Sequence, residues 1–274
     1  MNTRSSARNP LERRSGMSEI AVLIVSCDKY QDLWQPFFTL FFKYWPECPY
    51  PVYLLSNYSV FPDPRVKMIT VGEDKDWSSG LATALQQILQ PYVILLLEDY
   101  LLTRPVDTAK IQALATYIRQ KKAGYLRLFP CPGPDAPCAD NPDMGEILRG
   151  SPYRLSTQAA IWDRQVLSGL LREGETPGEL EVFGSRRTDT LDVPFLSVKR
   201  DDSNIYPISY FCTAVVRGKW VPAAVRLCRN EGIQVDLGIR PLETRHDRLR
   251  RYRVHRLSER VRAKCMSIIR HGGA

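Results

Sequence analysis

Histidine is scarce in this 274-residue chain, and all three, His246, His255 and His271, lie beyond residue 240. Residues 19–239 have none. That excludes a Ser-His-Asp triad, a Cys-His dyad or a histidine-ligated zinc site confined to that stretch. No Cys-x-x-Cys pair occurs among the seven cysteines, Cys27, Cys48, Cys131, Cys138, Cys212, Cys228 and Cys265. The odd count, with no secretory signal, reads as reduced thiols in a cytoplasmic protein. Long apolar runs are missing too. None is longer than the six residues of Tyr92 to Leu97, far short of the roughly 18 to 20 residues that cross a bilayer, and residues 1–18 lack the apolar core of a signal peptide.

What the chain does have is charge, unevenly placed. The formal net charge is +8. Residues 240–274 hold eleven Lys/Arg against three Asp/Glu, residues 1–18 hold four against one, and residues 19–239 hold 23 against 26. An acidic body with basic ends does not resemble a nucleic-acid binder whose reading surface is spread over its fold, so no nucleic-acid partner is expected. The sequence therefore divides into a basic arm, 1–18, a single catalytic domain, 19–239, and a basic tail, 240–274.

The domain alternates strands and helices. IAVLIVS after Glu19 is a continuous β-branched run, read as a strand buried on both faces and hence as part of a parallel sheet. Leu33 to Trp45 reads as a helix, Val52 to Ser56 and Val66 to Val71 as strands, and Ser79 to Gln90 as a helix. YVILLLEDY is the strongest strand signal. A helix opened by Pro105 and Asp107 runs to Lys122, followed by a strand at Tyr125 to Phe129. Residues 130–150, with five prolines and three glycines, read as a long loop. A strand around Tyr153 to Thr157, helices at Asp163 to Arg172 and Pro177 to Gly184, an irregular stretch to Ile208 and a helix at Val221 to Glu231 complete the domain. The expected architecture is α/β: a Rossmann-like, mainly parallel sheet flanked by helices, with a basic helical tail.

In such a sheet ligands gather at the carboxyl ends of the strands, and acids recur there. Asp28 follows the first strand, Asn57 the second, and Glu98-Asp99 closes the strongest. Two adjacent carboxylates at the end of a buried strand are costly to ionise unless they meet metal, base or water, which points to a functional site.

The order IAVLIVSCDKY, DWSSGLATALQQI and PYVILLLEDYLLTRPVD resembles the nucleotide-binding half of a GT-A type glycosyltransferase, and the resemblance covers roughly residues 19–235. It implies a nucleotide-binding half at 19–129 and an acceptor half at 150–239. It implies that Ser26, Asp28 and Tyr30 hold the nucleoside, that Asp76, Trp77, Ser78 and Ser79 form the donor pocket, and that Glu98 and Asp99 bind Mg²⁺ or Mn²⁺ with the sugar diphosphate; Asn57, at the end of the second strand, is counted with the donor-binding residues. The usual motif is Asp-x-Asp, whose two acids share a strand face; here Tyr100 takes the second position, which weakens the metal site unless the strand has already turned at Asp99. Without metal, the diphosphate charge would fall to Arg217 and Lys219.

The resemblance further implies an acceptor-side acid acting as base in an inverting transfer, matched by Glu181, with Glu179 as competitor. Gln158 and Trp162 are possible sugar contacts, although Trp162 equally suits the core. The expected activity is transfer of a sugar, a UDP-sugar first, to a glycan or lipid-linked hydroxyl. A nucleotidyltransferase shares the sheet but usually relies on a Gly-rich basic loop after the first strand, and VSCDKYQDLW has no glycine. A nonenzymatic membrane-associated binding module is the third reading. It rests on the tail, where Leu249, Tyr252, Leu257, Val261, Cys265 and Ile268 fall near one helical face and Arg248, Arg250, Arg251 and Arg253 are available to an anionic membrane, which would make the protein peripheral on the inner face.

Overall fold

A computed structural model describes residues 18–200, 205–211 and 213–248. The arm and most of the tail, including Arg250, Arg251 and Arg253, lie outside the described residues. The chain forms two compact units, Met1–Cys212 and Thr213–Ala274.

The first unit is built on a nine-stranded sheet ordered β3-β2-β1-β4-β8-β5-β9-β7-β6, with β1 Ile20–Val25, β2 Val52–Ser56, β3 Val66–Thr70, β4 Tyr92–Leu97, β5 Tyr125–Arg127, β6 Ala136–Cys138, β7 Asn141–Glu146, β8 Ala160–Asp163 and β9 Phe195–Val198. β1 pairs in parallel with β2 and β4, β2 with β3, and β5 with β9, while β8 runs against β4 and β5, and β7 against β6 and β9. Only β7 and β8 oppose the rest. The mixed, mainly co-directional α/β sheet expected from sequence is the one observed.

Its core follows from the apolar runs. Every residue of β1 is buried, and Leu23, Leu55, Leu81, Leu85, Val93 and Phe195 pack into one cluster with Trp162. Trp162 is a core residue, tilted against Tyr125 at 4.4 Å. On the sheet's flanks lie α1 Gln31–Tyr44, α2 Trp77–Gln87, α3 Thr108–Gln120 and α4 Arg164–Leu170. Asp76, Asp107 and Asp163 cap α2, α3 and α4 by accepting backbone N–H bonds from the first turn.

The departures from the sequence reading have local causes. Residues 130–150 contain the β6-β7 hairpin, whose Pro137 lies on the edge strand β6, where a missing donor is tolerated. Tyr153 to Thr157 is irregular, and the strand is the next apolar run, β8. β9 lies in the stretch read as irregular; at four residues it is too short to show a period. The helix from Pro177 continues to Thr188 as α5 Pro177–Glu179, a π turn Leu180–Gly184 and α6 Ser185–Thr188.

The second unit holds the hairpin β10 Val215–Val216 and β11 Lys219–Trp220, followed by α7 Pro222–Asn230. Arg217 and Gly218 make its turn at positive φ, 50° and 73°, the pair of left-handed residues a two-residue hairpin needs. Among the described residues no helix is long and apolar enough to cross a membrane.

Candidate active site at the carboxyl edge of the sheet

Strand order reverses between β1 and β4: the chain steps outward from β1 to β2 to β3, then returns to β4 on the other side of β1. Such a switch point opens a crevice at the carboxyl ends of the strands. The register places Val25 opposite Leu97, so Ser26 and Glu98 leave the sheet at the same level. β8 enters from this edge, with Ala160 facing Leu95 on one side and Arg127 on the other, which brings the segment Thr157-Gln158-Ala159 to the same rim.

After β1 the chain makes a 3-10 turn, Asp28–Tyr30, that leads into α1. The Asp28 backbone donates to Asn57 Oδ1 at 3.0 Å, while the Asp28 carboxylate accepts from the backbone N–H groups of Asn57 (3.0 Å), Tyr58 (3.2 Å) and Ser59 (3.1 Å). Asp28 and Asn57 thereby latch the ends of β1 and β2 together. Burial alone would raise the Asp28 carboxyl, but the amides of Asn57, Ser59 and Tyr58 outweigh it and hold the group below the usual carboxylate range. The Ser56 hydroxyl donates to Ser59 O at 2.7 Å and closes the turn. The side chain at its tip, Tyr58, is 70% exposed. The Ser26 hydroxyl accepts from Trp34 Nε1 at 2.8 Å.

Asp76 accepts from the Ser79 amide at 2.8 Å and the Ser79 hydroxyl at 2.6 Å. Burial opposes its ionisation and these bonds more than offset it, so its carboxyl is lowered. Ser78 is buried with a hydroxyl that has no hydrogen-bond partner among the described residues, whereas Trp77 is half-buried.

β4 ends at Leu97, not at Tyr100, and the chain turns through Glu98 and Asp99 with Tyr100 N–H donating to Leu97 O at 3.1 Å. Strand alternation therefore does not govern these acids. Tyr100 is buried, its ring stacked on Tyr210 at 4.6 Å and its hydroxyl donating to Thr157 O at 3.2 Å. Gln158 links the same pair: its amide donates to Tyr100 Oη at 3.4 Å, and its carbonyl accepts from Tyr210 Oη at 2.7 Å. Burial pushes the nearby Cys27 thiol up, and the charges of Asp74 and Glu98 add to the effect.

Among the described residues no three His, Cys, Asp or Glu side chains form a metal-holding group. Two adjacent carboxylates do suit a hard cation that completes its shell with phosphate oxygens and water, as Mg²⁺ does with one or two carboxylates. Glu98 and Asp99 fit a cation shared with a substrate, not one held by protein alone.

The two acceptor-side acids separate. The carboxylate of Glu179 closes a capping box on Thr176, accepting from its backbone at 2.9 Å and its hydroxyl at 2.7 Å; those bonds lower its pKa. Glu181, half-buried in the π turn, accepts through Oε1 from the Thr157 amide at 2.8 Å and the Thr157 hydroxyl at 2.9 Å. Ser185 Oγ donates to Glu181 O at 2.6 Å and accepts from Leu155 N at 3.2 Å, which fixes the turn against the same segment. π turns are rare and frequent at functional sites.

The structure thus brings Ser26, Asp28, Tyr30, Asn57, Glu98, Asp99, Gln158 and Glu181 to one edge of the sheet. Arg217 and Lys219 belong to the second unit, where Lys219 Nζ is held by Asp247 at 2.9 Å. Sequence reasoning missed Tyr58, Thr157 and Tyr210. Only Tyr58, next to Asn57, left a local signal.

No family model matches the chain, and no curated protein matches it. Among solved structures, S. aureus TarS 1–349 is similar at 14% identity and a TM-score of 0.45, over 80% of this chain and 67% of that one. CMP:2-keto-3-deoxy-manno-octonic acid synthetase complexed with CTP is similar at 11% identity and a TM-score of 0.41, over 78% and 98%. The chain spans 38% of a longer S. aureus TarS structure, at 12% identity and a TM-score of 0.40. Likenesses of this extent are similarities of chain path, and the reading of the site rests on its own residues.

Proposed function

We propose that the protein is a glycosyltransferase that moves a sugar from a nucleoside-diphosphate donor, a UDP-sugar first, to a hydroxyl of a glycan or lipid-linked acceptor. The observation that carries this reading is the convergence of two acidic elements at one switch point: the Glu98-Asp99 turn beside the Asp28 loop, and Glu181, tied to the same rim through Thr157. Leaving-group charge and acceptor deprotonation need such separate acids.

In this reading the nucleoside lies along the β1-β2 latch. Asp28, with its carboxylate committed to three amides, shapes the site, and Tyr58 offers a ring face for the base. Glu98 and Asp99 would hold Mg²⁺ or Mn²⁺, which would supply positive charge against the leaving diphosphate. Glu181 takes the acceptor proton: both Thr157 bonds fall on Oε1, leaving Oε2 to accept it. The acceptor oxygen bonds to the anomeric carbon as the carbon–oxygen bond to the diphosphate breaks, with inversion.

Calorimetric titration of UDP, with GDP and dTDP as controls, in Mn²⁺ and again in EDTA, tests the donor side. Selective UDP binding lost in EDTA supports the reading with the metal, and binding that survives EDTA supports it without. No nucleotide binding in either condition sinks it. A nucleotidyltransferase on the same sheet would instead release pyrophosphate from CTP or UTP, a product measured in parallel.

A further inference from the structure

Arg127 is a buried charge that the proposed transfer does not use. It is the last residue of β5, at the carboxyl edge, and is 0% exposed, although arginine is almost never fully buried unless paired. Among the described residues its partners are all neutral oxygens. Nε donates to Tyr125 Oη at 3.0 Å, Nη1 to Pro132 O at 2.5 Å, and Nη2 to Tyr153 O at 2.6 Å and Arg154 O at 3.4 Å. Burying a cation without a counter-ion is costly. The rigid fork of donors closes the root of the β6-β7 excursion, gripping the chain where it departs at Pro132 and where it returns at Tyr153 and Arg154.

The returning segment is strained and then held at every residue up to Thr157. Tyr153 has a φ of 54°, the left-handed region that a non-glycine residue adopts only where its surroundings impose it, and its carbonyl is the one Arg127 holds at 2.6 Å. Arg154, also buried, donates to Ile147 O at 3.2 Å and to Thr188 O at 2.6 Å, which ties the segment to α6. Leu155 N–H donates to Ser185 Oγ at 3.2 Å. Tyr125 Oη, which accepts from Arg127, donates to Ser156 O at 3.3 Å. Thr157 then supplies both donors to Glu181 Oε1. Residues 153–157 form neither helix nor strand, so no ladder of backbone bonds fixes them and these side-chain bonds do so instead.

We infer that Arg127 is the positioning residue of the acceptor-side base: it holds Tyr153 in its left-handed conformation and fixes residues 153–157, so that Thr157 meets the Glu181 carboxylate in one orientation. The inference rests on the reading of Glu181 as the base. Being fully buried, Arg127 acts through this backbone and not on substrate.

The test is amide hydrogen exchange on the full chain, followed by NMR, together with UDP release from UDP-glucose and calorimetric UDP binding. Arg127→Met removes the fork, and Tyr125→Phe, the milder change, keeps the ring and removes only the hydroxyl that links Arg127 to Ser156. Either should speed exchange of the Thr157 amide about tenfold, the scale of one buried hydrogen bond, with the amides of β1 and β4 unchanged. Turnover should fall about tenfold or more, as a displaced catalytic group entails, at unchanged UDP affinity. In a Glu181→Gln background Tyr125→Phe should lower turnover no further, because the group it positions is gone. Thr157 exchange at the wild-type rate in both variants overturns the inference, and so does uniform acceleration across the sheet in both, which would make Arg127 a support of the core alone. Losses that multiply in the double variant also overturn it. The exchange measurement needs no substrate, so it decides even if UDP-glucose is not turned over. A Glu181→Gln enzyme at wild-type rate sinks the base and the inference with it, whereas an inactive Glu181→Gln beside a fully active Tyr125→Phe sinks the inference alone.

Discussion

Thr157 offers both its backbone amide and its hydroxyl to one carboxylate oxygen of Glu181, at 2.8 and 2.9 Å, while its carbonyl accepts from Tyr100 beside the Glu98-Asp99 turn. One residue thus orients the acid read as the base and touches the element read as the diphosphate site. Two donors on Oε1 fix the carboxylate's rotation. Glu181→Gln is expected to lower turnover by about a hundredfold or more, the usual scale of general base catalysis, with UDP affinity unchanged. Thr157→Val, which removes the hydroxyl but keeps the amide, should lower turnover less. A Glu181→Gln enzyme at wild-type rate rules out the assignment.

Glu179, two residues earlier, is expected to behave differently. Its carboxylate is spent on Thr176, so Glu179→Ala should lower stability slightly through the lost half of the capping box and leave turnover unchanged. Thermal unfolding and steady-state rates on the same preparation separate the two acids. A rate loss in Glu179→Ala as deep as in Glu181→Gln would place the base two residues away from where it is read.

How far this could be read from sequence depended on run length and on locality. β1 and β4 are six-residue apolar strands and the helix opened by Asp107 is capped within one turn, so these were legible, whereas Asp76 was read as part of the donor pocket and caps a helix that starts two residues before the one expected. β9 has four residues, and β8 enters the sheet antiparallel between two strands that run the other way. No local period encodes that insertion. The same holds for the site. Asp28 and Glu98 announce themselves at strand ends, but Asp28's partners lie 29 to 31 residues away, and Tyr210 meets Gln158 across 52. The exact residue at which β4 stops was not fixed, because YVILLLEDY carries no glycine or proline to mark it.

The latch between β1 and β2 makes stability depend on acid. Asp28 is lowered in the folded state, so its contribution is full above the unfolded carboxyl value of about 3.9 and is lost as pH falls below that value through the folded one. Asp28→Asn replaces an acceptor of three amides with a group that has one carbonyl oxygen and an NH₂, and should cost about 2 kcal/mol near neutral pH. The gap in urea midpoint between wild type and variant should narrow below about pH 4. A constant gap from neutral to acid would mean that the charge of Asp28 does not hold the turn.

The same latch explains why a rigid turn ends in an exposed tyrosine. Ser56, Asn57 and Ser59 are all bonded within the turn or to Asp28, so the backbone at Tyr58 is held although its ring lies in solvent. A solvent-facing ring on a held backbone at the carboxyl edge of parallel strands offers a face on which a planar base can stack, and base stacking on aromatic side chains is worth about 1 to 3 kcal/mol by alanine substitution. Tyr58→Ala is therefore expected to weaken UDP binding about tenfold, with Tyr58→Trp near wild type and inorganic pyrophosphate binding equal in all three. Calorimetry with both ligands distinguishes the causes. A loss shared by UDP and pyrophosphate would mean a collapsed loop, whereas unchanged UDP affinity in Tyr58→Ala would move the base off this ring and toward Tyr30, on the other side of the Asp28 turn.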